Sequence, residues 1–234
     1  MAGKLILAWL VHLYSASGTV LAFFSVLLVQ RGDFKSAFWL NALAVAIDAS
    51  DGTLARAARV KERIPWFDGA RLEDIIDYLN YVLVPSLILV YADLLPRGDA
   101  LWIAALPMLA SAYGFCQKEA KTADNYFLGF PSYWNIVVFY LFVLRTPVWL
   151  NGFIILALSV LVLVPIKYIY PSRTAAFQWL TLTLGAVWGV LVLLTIYYLP
   201  APPPAVVYAS LVFPAYYTAL SFWLARPKRP AEAA

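Results

Sequence analysis

Residues 46–78 read AIDASDGTLARAARVKERIPWFDGARLEDIIDY. Asp48, Asp51, Glu73 and Asp77 stand here at the ends of apolar segments, with Arg56 among them. Asp48 and Asp51 are three apart and Glu73 and Asp77 four apart, so each pair shares a helix face. If the two helices pack side by side, four carboxylates converge near a membrane surface. Carboxylates at that depth are costly and point to function by default. Oxygen-only clusters suit hard divalent ions such as Mg²⁺ or Mn²⁺. Two such ions can clamp the attacking and leaving oxygens of a phosphate displacement. The competing reading is that the acids form interfacial salt bridges with Arg56, Arg59 and Arg71, and spacing alone leaves both open.

The rest of the chain says what these helices cross. Of its 234 residues 63% are hydrophobic, and the mean hydropathy is +0.77. A soluble domain is about half apolar, so the composition indicates a membrane protein. Apolar windows long enough to span about 30 Å of hydrocarbon fall at roughly 5–29, 35–55, 72–95, 100–117, 133–146, 148–168, 176–199 and 204–225. The expected fold is an all-α, polytopic bundle of about eight transmembrane helices. One membrane domain, 1–225, is followed by a polar tail, 226–234. The first window lacks a small-residue cleavage site and is not a removable signal peptide.

Charge orients the bundle. With an even number of crossings both termini share one side. That side collects Lys4, Arg56, Arg59, Lys61, Arg63, Arg71, Lys118, Lys121, Lys167, Arg173, Arg226, Lys228 and Arg229; the other has Arg31, Lys35, Arg97 and Arg145. The positive-inside rule places both termini and the acids in the cytoplasm, which makes the site a cytoplasmic-face site. The basic rim should attract anionic headgroups, by about 1 kcal/mol per residue near the surface. Nothing in the pattern asks for a nucleic-acid partner.

Several chemistries are excluded. The chain has one cysteine, Cys116, and one histidine, His12, so internal disulfides, zinc clusters and His-based triads cannot form. His12 reads as a packing or interfacial residue. The connection LPAPPPA, 199–205, reads as a tight turn. The longest polar gap, QKEAKTADNYFLGFPS at 117–132, exceeds an ordinary connection and is either functional or floppy; its aromatics argue against plain disorder.

DASDGTLAR, 48–56, carries without exception the first half of a signature, D-x2-D-G-x2-A-R then G-x3-D-x3-D, and Gly69, Glu73 and Asp77 align with the second half. In this the chain resembles the CDP-alcohol phosphotransferases. The long spacer 57–68 resembles that of the bacterial phosphatidylcholine synthase branch, as do AYGFCQKEAKTADNYFLGFPSYWNIVVFYLFVL at 112–144 and VPIKYIYPSRT at 164–174. The departure is Glu73, where the signature has Asp.

The resemblance implies transfer of a phosphatidyl group from CDP-diacylglycerol to choline, with release of CMP, in a bacterial cytoplasmic membrane. It implies metal ligands Asp48, Asp51, Glu73 and Asp77 for two Mn²⁺ or Mg²⁺ ions, and Asp77 as general base. It places Asp51, Gly52, Ala55, Arg56 and Gly69 along the CMP and diphosphate. Choline offers no N–H, so its partners should be aromatic faces or a counter-charge: Tyr113, Tyr126, Tyr133, Trp134 and Glu119 are candidates. Lys118, Lys121, Lys167 and Arg173 are candidates for lipid phosphate. Related enzymes often pair as homodimers. Two alternatives stand beside this reading: a sister enzyme using serine, inositol or glycerol phosphate, and an ion or metal transporter using the acids as a path.

Glu73→Asp restores the signature residue and shortens one ligand by a methylene. It should keep turnover and change the preference between Mg²⁺ and Mn²⁺. Parallel metal titrations of both forms check this, and loss of activity with either ion would show that the longer side chain is required.

Overall fold

The computed structural model describes residues 2–118 and 120–225. Glu119 and the tail 226–234 lie outside the described residues. Helix α1 (Ala2–Gln30) turns back into α2 (Phe34–Ala57) through Arg31, Gly32 and Asp33. Gly32 takes φ +75° in that turn, a conformation open to glycine without a Cβ penalty. The Asp33 carboxylate then caps α2 by accepting from Ser36 N at 3.1 Å, which satisfies an orphan donor of the first turn. The two helices pack antiparallel along most of their length.

A one-turn helix, α3 (Val60–Arg63), fills the long spacer, and its Val60 packs with Ile64 against Ala8 and Val11 of α1. Asp68 caps α4 (Gly69–Asp77) by accepting from Ala70 N and Arg71 N. α4 runs through a π-helical section, Tyr78–Leu83, into α5 (Val84–Tyr91), so Gly69–Tyr91 is one rod of 23 residues. The π section comes directly before Pro85, whose ring and missing N–H disrupt an α ladder one turn back. Its polar groups are answered by side chains. Asn41 Nδ2 donates to the Asn80 carbonyl at 2.9 Å, and Asn80 Nδ2 donates to the carbonyls of Ile76 and Gly18.

Six more helices follow: α6 (Ala100–Cys116), α7 (Trp134–Leu144), α8 (Val148–Leu163), α9 (Gln178–Tyr197), α10 (Pro204–Ser210) and α11 (Val212–Leu224). Each apolar window of the sequence thus falls on a helical segment. Among the described residues, four segments are long and apolar enough to cross a membrane: Gly3–Gln30, Gly69–Tyr91, Gln178–Tyr197 and Pro204–Leu224. α7 has 11 residues, about 16 Å at 1.5 Å per residue and half a bilayer core. It is a core helix: Trp134, Val138, Phe139, Tyr140 and Leu141 are buried. The outer surface is apolar, with Leu13, Trp102, Phe153 and Trp179 more than half exposed.

One feature departs from an all-α fold. The gap 117–132 contains a short strand. Its strand β1 (Tyr126–Leu128) pairs antiparallel with β2 (Lys167–Ile169) in the register Tyr126↔Ile169, Phe127↔Tyr168 and Leu128↔Lys167. A bridge from Lys121 to Phe127 adds a third extended segment. The small sheet persists because its apolar side chains have somewhere to go: Tyr126, Phe127, Tyr168 and Ile169 pack with Tyr217 and Leu220 of α11. Lys167 Nζ meets Asp124 at 2.6 Å and closes the outer edge. That hydrogen bond, followed by one from Thr122, holds the Asp124 carboxyl below its ordinary range.

A close approach sets the spacing of α1 and α4. A Cβ on Gly18 would lie 2.6 Å from Ile76 Cγ2. Gly18→Ala should therefore overpack the contact at a cost of about 1–3 kcal/mol, and Ile76→Ala in the same chain should recover part of the loss. Thermal unfolding in detergent of the single and double variants checks both statements.

Candidate active site

Three helices meet at one end of the bundle, and α1 touches the other two at every level. Going up α1, His12 lies against Gly69. Tyr14 Oη and Ser50 Oγ are 2.8 Å apart, and Ser15 Oγ donates to Asp51 Oδ2 at 2.7 Å. Gly18 then receives Ile76 and accepts from Asn80. These contacts bring the acidic faces of α2 and α4 together. Asp48, Glu73 and Asp77 each present a carboxylate oxygen within 4.8 Å of the others. Asp51 lines the same cleft, with Ser15, Ala44, Ile47 and Ile76, but one of its oxygens is taken by Ser15. Tyr81, in the π section, donates to Asp48 Oδ2 at 3.3 Å.

The salt-bridge reading of these acids does not describe the structure. Arg59 pairs with Glu62 and Arg71 with Asp68, while Arg56 Nη2 donates to Thr53 Oγ1. Among the described residues no Lys or Arg comes within 4.0 Å of the carboxylates of Asp48, Asp51, Glu73 or Asp77. Three half-buried carboxylates facing one another repel strongly where water is scarce. The oxygen-only donor set, its convergence and its lack of a fixed cation fit a divalent ion.

The remaining sequence candidates separate. Gly52 and Ala55 follow Asp51 along α2; a Cβ on Gly52 would meet Arg56 Nη1 at 3.5 Å, and Ala55 packs toward Ala58 and Ile64. Tyr133, at the start of α7, is half-buried and edge-on to Phe127 and Tyr217, with centroids at 6.4 and 5.9 Å. The charges of Asp48 and Asp77 reach it. Tyr126 lies under Lys167 Nζ at 5.5 Å. Tyr113 is an exposed residue of α6. Trp134 has no exposed surface, and its indole N–H donates to Ser111 Oγ at 2.8 Å. Glu119 lies outside the described residues.

The cations separate as well. Lys167 is committed to Asp124, and Lys118 is exposed. Lys121 acts electrostatically on Asp48, Glu73 and Asp77, and Arg173 on Glu73. Arg173 covers the Tyr170 ring at 5.4 Å, and Tyr170 stacks on Phe127 at 4.5 Å. The small sheet thereby carries two cations and an aromatic group toward the acidic cleft.

Sequence reasoning missed Ser15, Tyr81, Tyr170 and Tyr217. Tyr81 had a signal, since it follows Asp77 by four residues and shares its helix face. Ser15 had none, because its partner is 36 residues away.

No family model matches the chain. It is similar to curated proteins named phosphatidylcholine synthase. With that of Pseudomonas aeruginosa it shares 36% identity over 92% of this chain and 91% of the relative. With that of Legionella pneumophila the identity is 45% over 71% of this chain and 66% of the relative. With that of Borreliella burgdorferi it is 36% over 76% of each.

Ser15 and Tyr81 each hold one oxygen of an acidic residue and so orient the other. Partners of this kind are worth roughly 10–100-fold in metal affinity. Ser15→Ala and Tyr81→Phe should each weaken Mn²⁺ binding by about tenfold in the folded protein. Mn²⁺ titrations followed by electron paramagnetic resonance check this, and unchanged affinity in both variants would remove the orienting role.

Proposed function

The chain belongs to the phosphatidylcholine synthase family, and from that premise we propose that it transfers the phosphatidyl group of CDP-diacylglycerol to choline and releases CMP. The observation that carries the chemistry is the meeting of Asp48, Glu73 and Asp77 within 4.8 Å with no salt-bridge partner among the described residues. This arrangement can receive a phosphate only if cations are recruited.

Asp48, Asp51, Glu73 and Asp77 would hold Mn²⁺ or Mg²⁺, two ions by the family pattern. Bound there, the ions would neutralise phosphate oxygens and polarise the diphosphate bridge. The residues do the rest. Asp77 accepts the proton of the choline hydroxyl as that oxygen bonds to the lipid-linked phosphorus. The bond from that phosphorus to the bridging oxygen breaks, and CMP leaves with the electron pair. Arg56, Lys121 and Arg173 would face the phosphates, and the nucleotide would lie along Gly52 and Gly69, beside Arg56 and His12. Tyr133 offers the trimethylammonium a ring near the acids, with Tyr126, Tyr170 and Tyr217 behind it.

The surrounding architecture is proposed with the reaction: eight membrane crossings in a bacterial cytoplasmic membrane, both termini and the acids on the cytoplasmic side, and a homodimer as assembly. A short α7 is compatible with that count, because its buried face is matched to protein and not to lipid. Residues 1–225 form the catalytic domain, and 226–234 are its tail.

The protein in detergent micelles with CDP-diacylglycerol, Mn²⁺ and labelled choline should yield phosphatidylcholine and CMP in equal amounts. Serine, inositol and glycerol phosphate should yield neither, and preference for one of them would reassign the acceptor. Asp51→Asn should abolish turnover in a folded protein. Tyr133→Leu should raise the choline KM roughly tenfold and leave that of CDP-diacylglycerol unchanged, where KM tracks binding.

A further inference from the structure

We infer that His12 is a nucleotide-contacting residue, whose imidazole binds the nucleoside half of the donor beside Gly69. This rests on the proposed use of a cytidine nucleotide.

His12 is 8% exposed. Its Nε2 is buried with no hydrogen-bond partner among the described residues. The ring lies 4.3 Å from Phe67 and 5.9 Å from Trp9, centroid to centroid. A Cβ on Gly69 would come to 3.0 Å from its Cε1 and 3.7 Å from its Nδ1. The position is therefore shaped for a flat ring, and Gly69 lacks a side chain where that ring sits. Packing alone does not call for an imidazole. A phenyl ring would fill the space without stranding a buried nitrogen, which is destabilising when unpaired. A nitrogen without a protein partner is available to a ligand.

The place along the helix says which part of the ligand. Gly69 precedes Glu73 by four residues and Asp77 by eight, about 6 and 12 Å along α4. A diphosphate held at the acids has its diacylglycerol drawn into the apolar bundle surface. Its nucleoside must extend the other way, toward the start of α4, where His12 stands. Phe67 and Trp9 add ring faces there, of the kind on which bases stack. A neutral imidazole can donate to or accept from the edge of a pyrimidine or a ribose hydroxyl.

His12 is the chain's single histidine, so a sample labelled with ¹⁵N-histidine and purified without a histidine tag gives one imidazole. With Mn²⁺ replaced by diamagnetic Mg²⁺, saturating CMP should shift its Nε2 resonance. His12→Phe keeps the ring packing and should weaken CMP binding about tenfold, with an unfolding temperature at or above that of the parent and Mn²⁺ affinity unchanged. His12→Gln should retain most of the affinity. If CMP binds the parent and neither moves the imidazole resonance nor discriminates His12→Phe, the inference is overturned and the proposed reaction stands. A parent chain that binds no CMP with the metal present overturns both. Should His12→Phe fail to fold, the resonance in the parent decides alone.

Discussion

The mutual repulsion of Asp48, Glu73 and Asp77 is the constraint that the rest of the structure answers. Left to themselves, two helices carrying these acids would separate or rotate. What prevents it is α1, which holds α2 through Tyr14 and Ser15 and α4 through Gly18 and His12. The contacts are of different kinds: a hydroxyl on a carboxylate, a missing side chain beneath an isoleucine, a ring over a glycine. Together they leave neither helix free to slide along α1. Apolar packing of α1 against α3 and the spacer supports the same arrangement from the polar end. A site held this way is poised for a cation before one arrives, which is what preorganisation requires.

The π section of the third long rod belongs to the same arrangement. It begins at the residue after Asp77 and includes Tyr81, which reaches back to Asp48. A widened turn at this point changes the angular relation between the acids below it and the apolar residues above it. Asn41 and Asn80 satisfy the backbone groups involved, so the irregularity is supported on three sides. π turns recur at functional sites, and here its neighbours are two residues of the acidic cleft.

The helices were legible in the sequence because the apolar windows are long and separated by charge or proline. The acids were legible because three- and four-residue spacings put them on common faces. Three things were not. The small sheet was hidden, because three-residue strands have no periodicity of their own and exist through pairing between residues 126–128 and 167–169. Trp134 reads like any interfacial tryptophan, and its burial and its bond to Ser111 show it to be core. Ser15 is one hydroxyl in an oily helix, and its meaning depends on a partner on another helix. The crossing count is also less plain than the windows suggested, since α2 is diluted by its own charged residues and α7 is short.

The two sides of the cleft come from different parts of the chain. The acids belong to α2 and α4, held by α1, within the first 77 residues. The cations and aromatic rings opposite them hang from a sheet joined by strands 126–128 and 167–169. A division of this kind makes the molecule modular. On the proposed function, substitutions in the sheet would retune the choice of alcohol while the acidic half stays as it is, and exchange of the sheet segments between relatives would be the natural unit for redesigning headgroup chemistry.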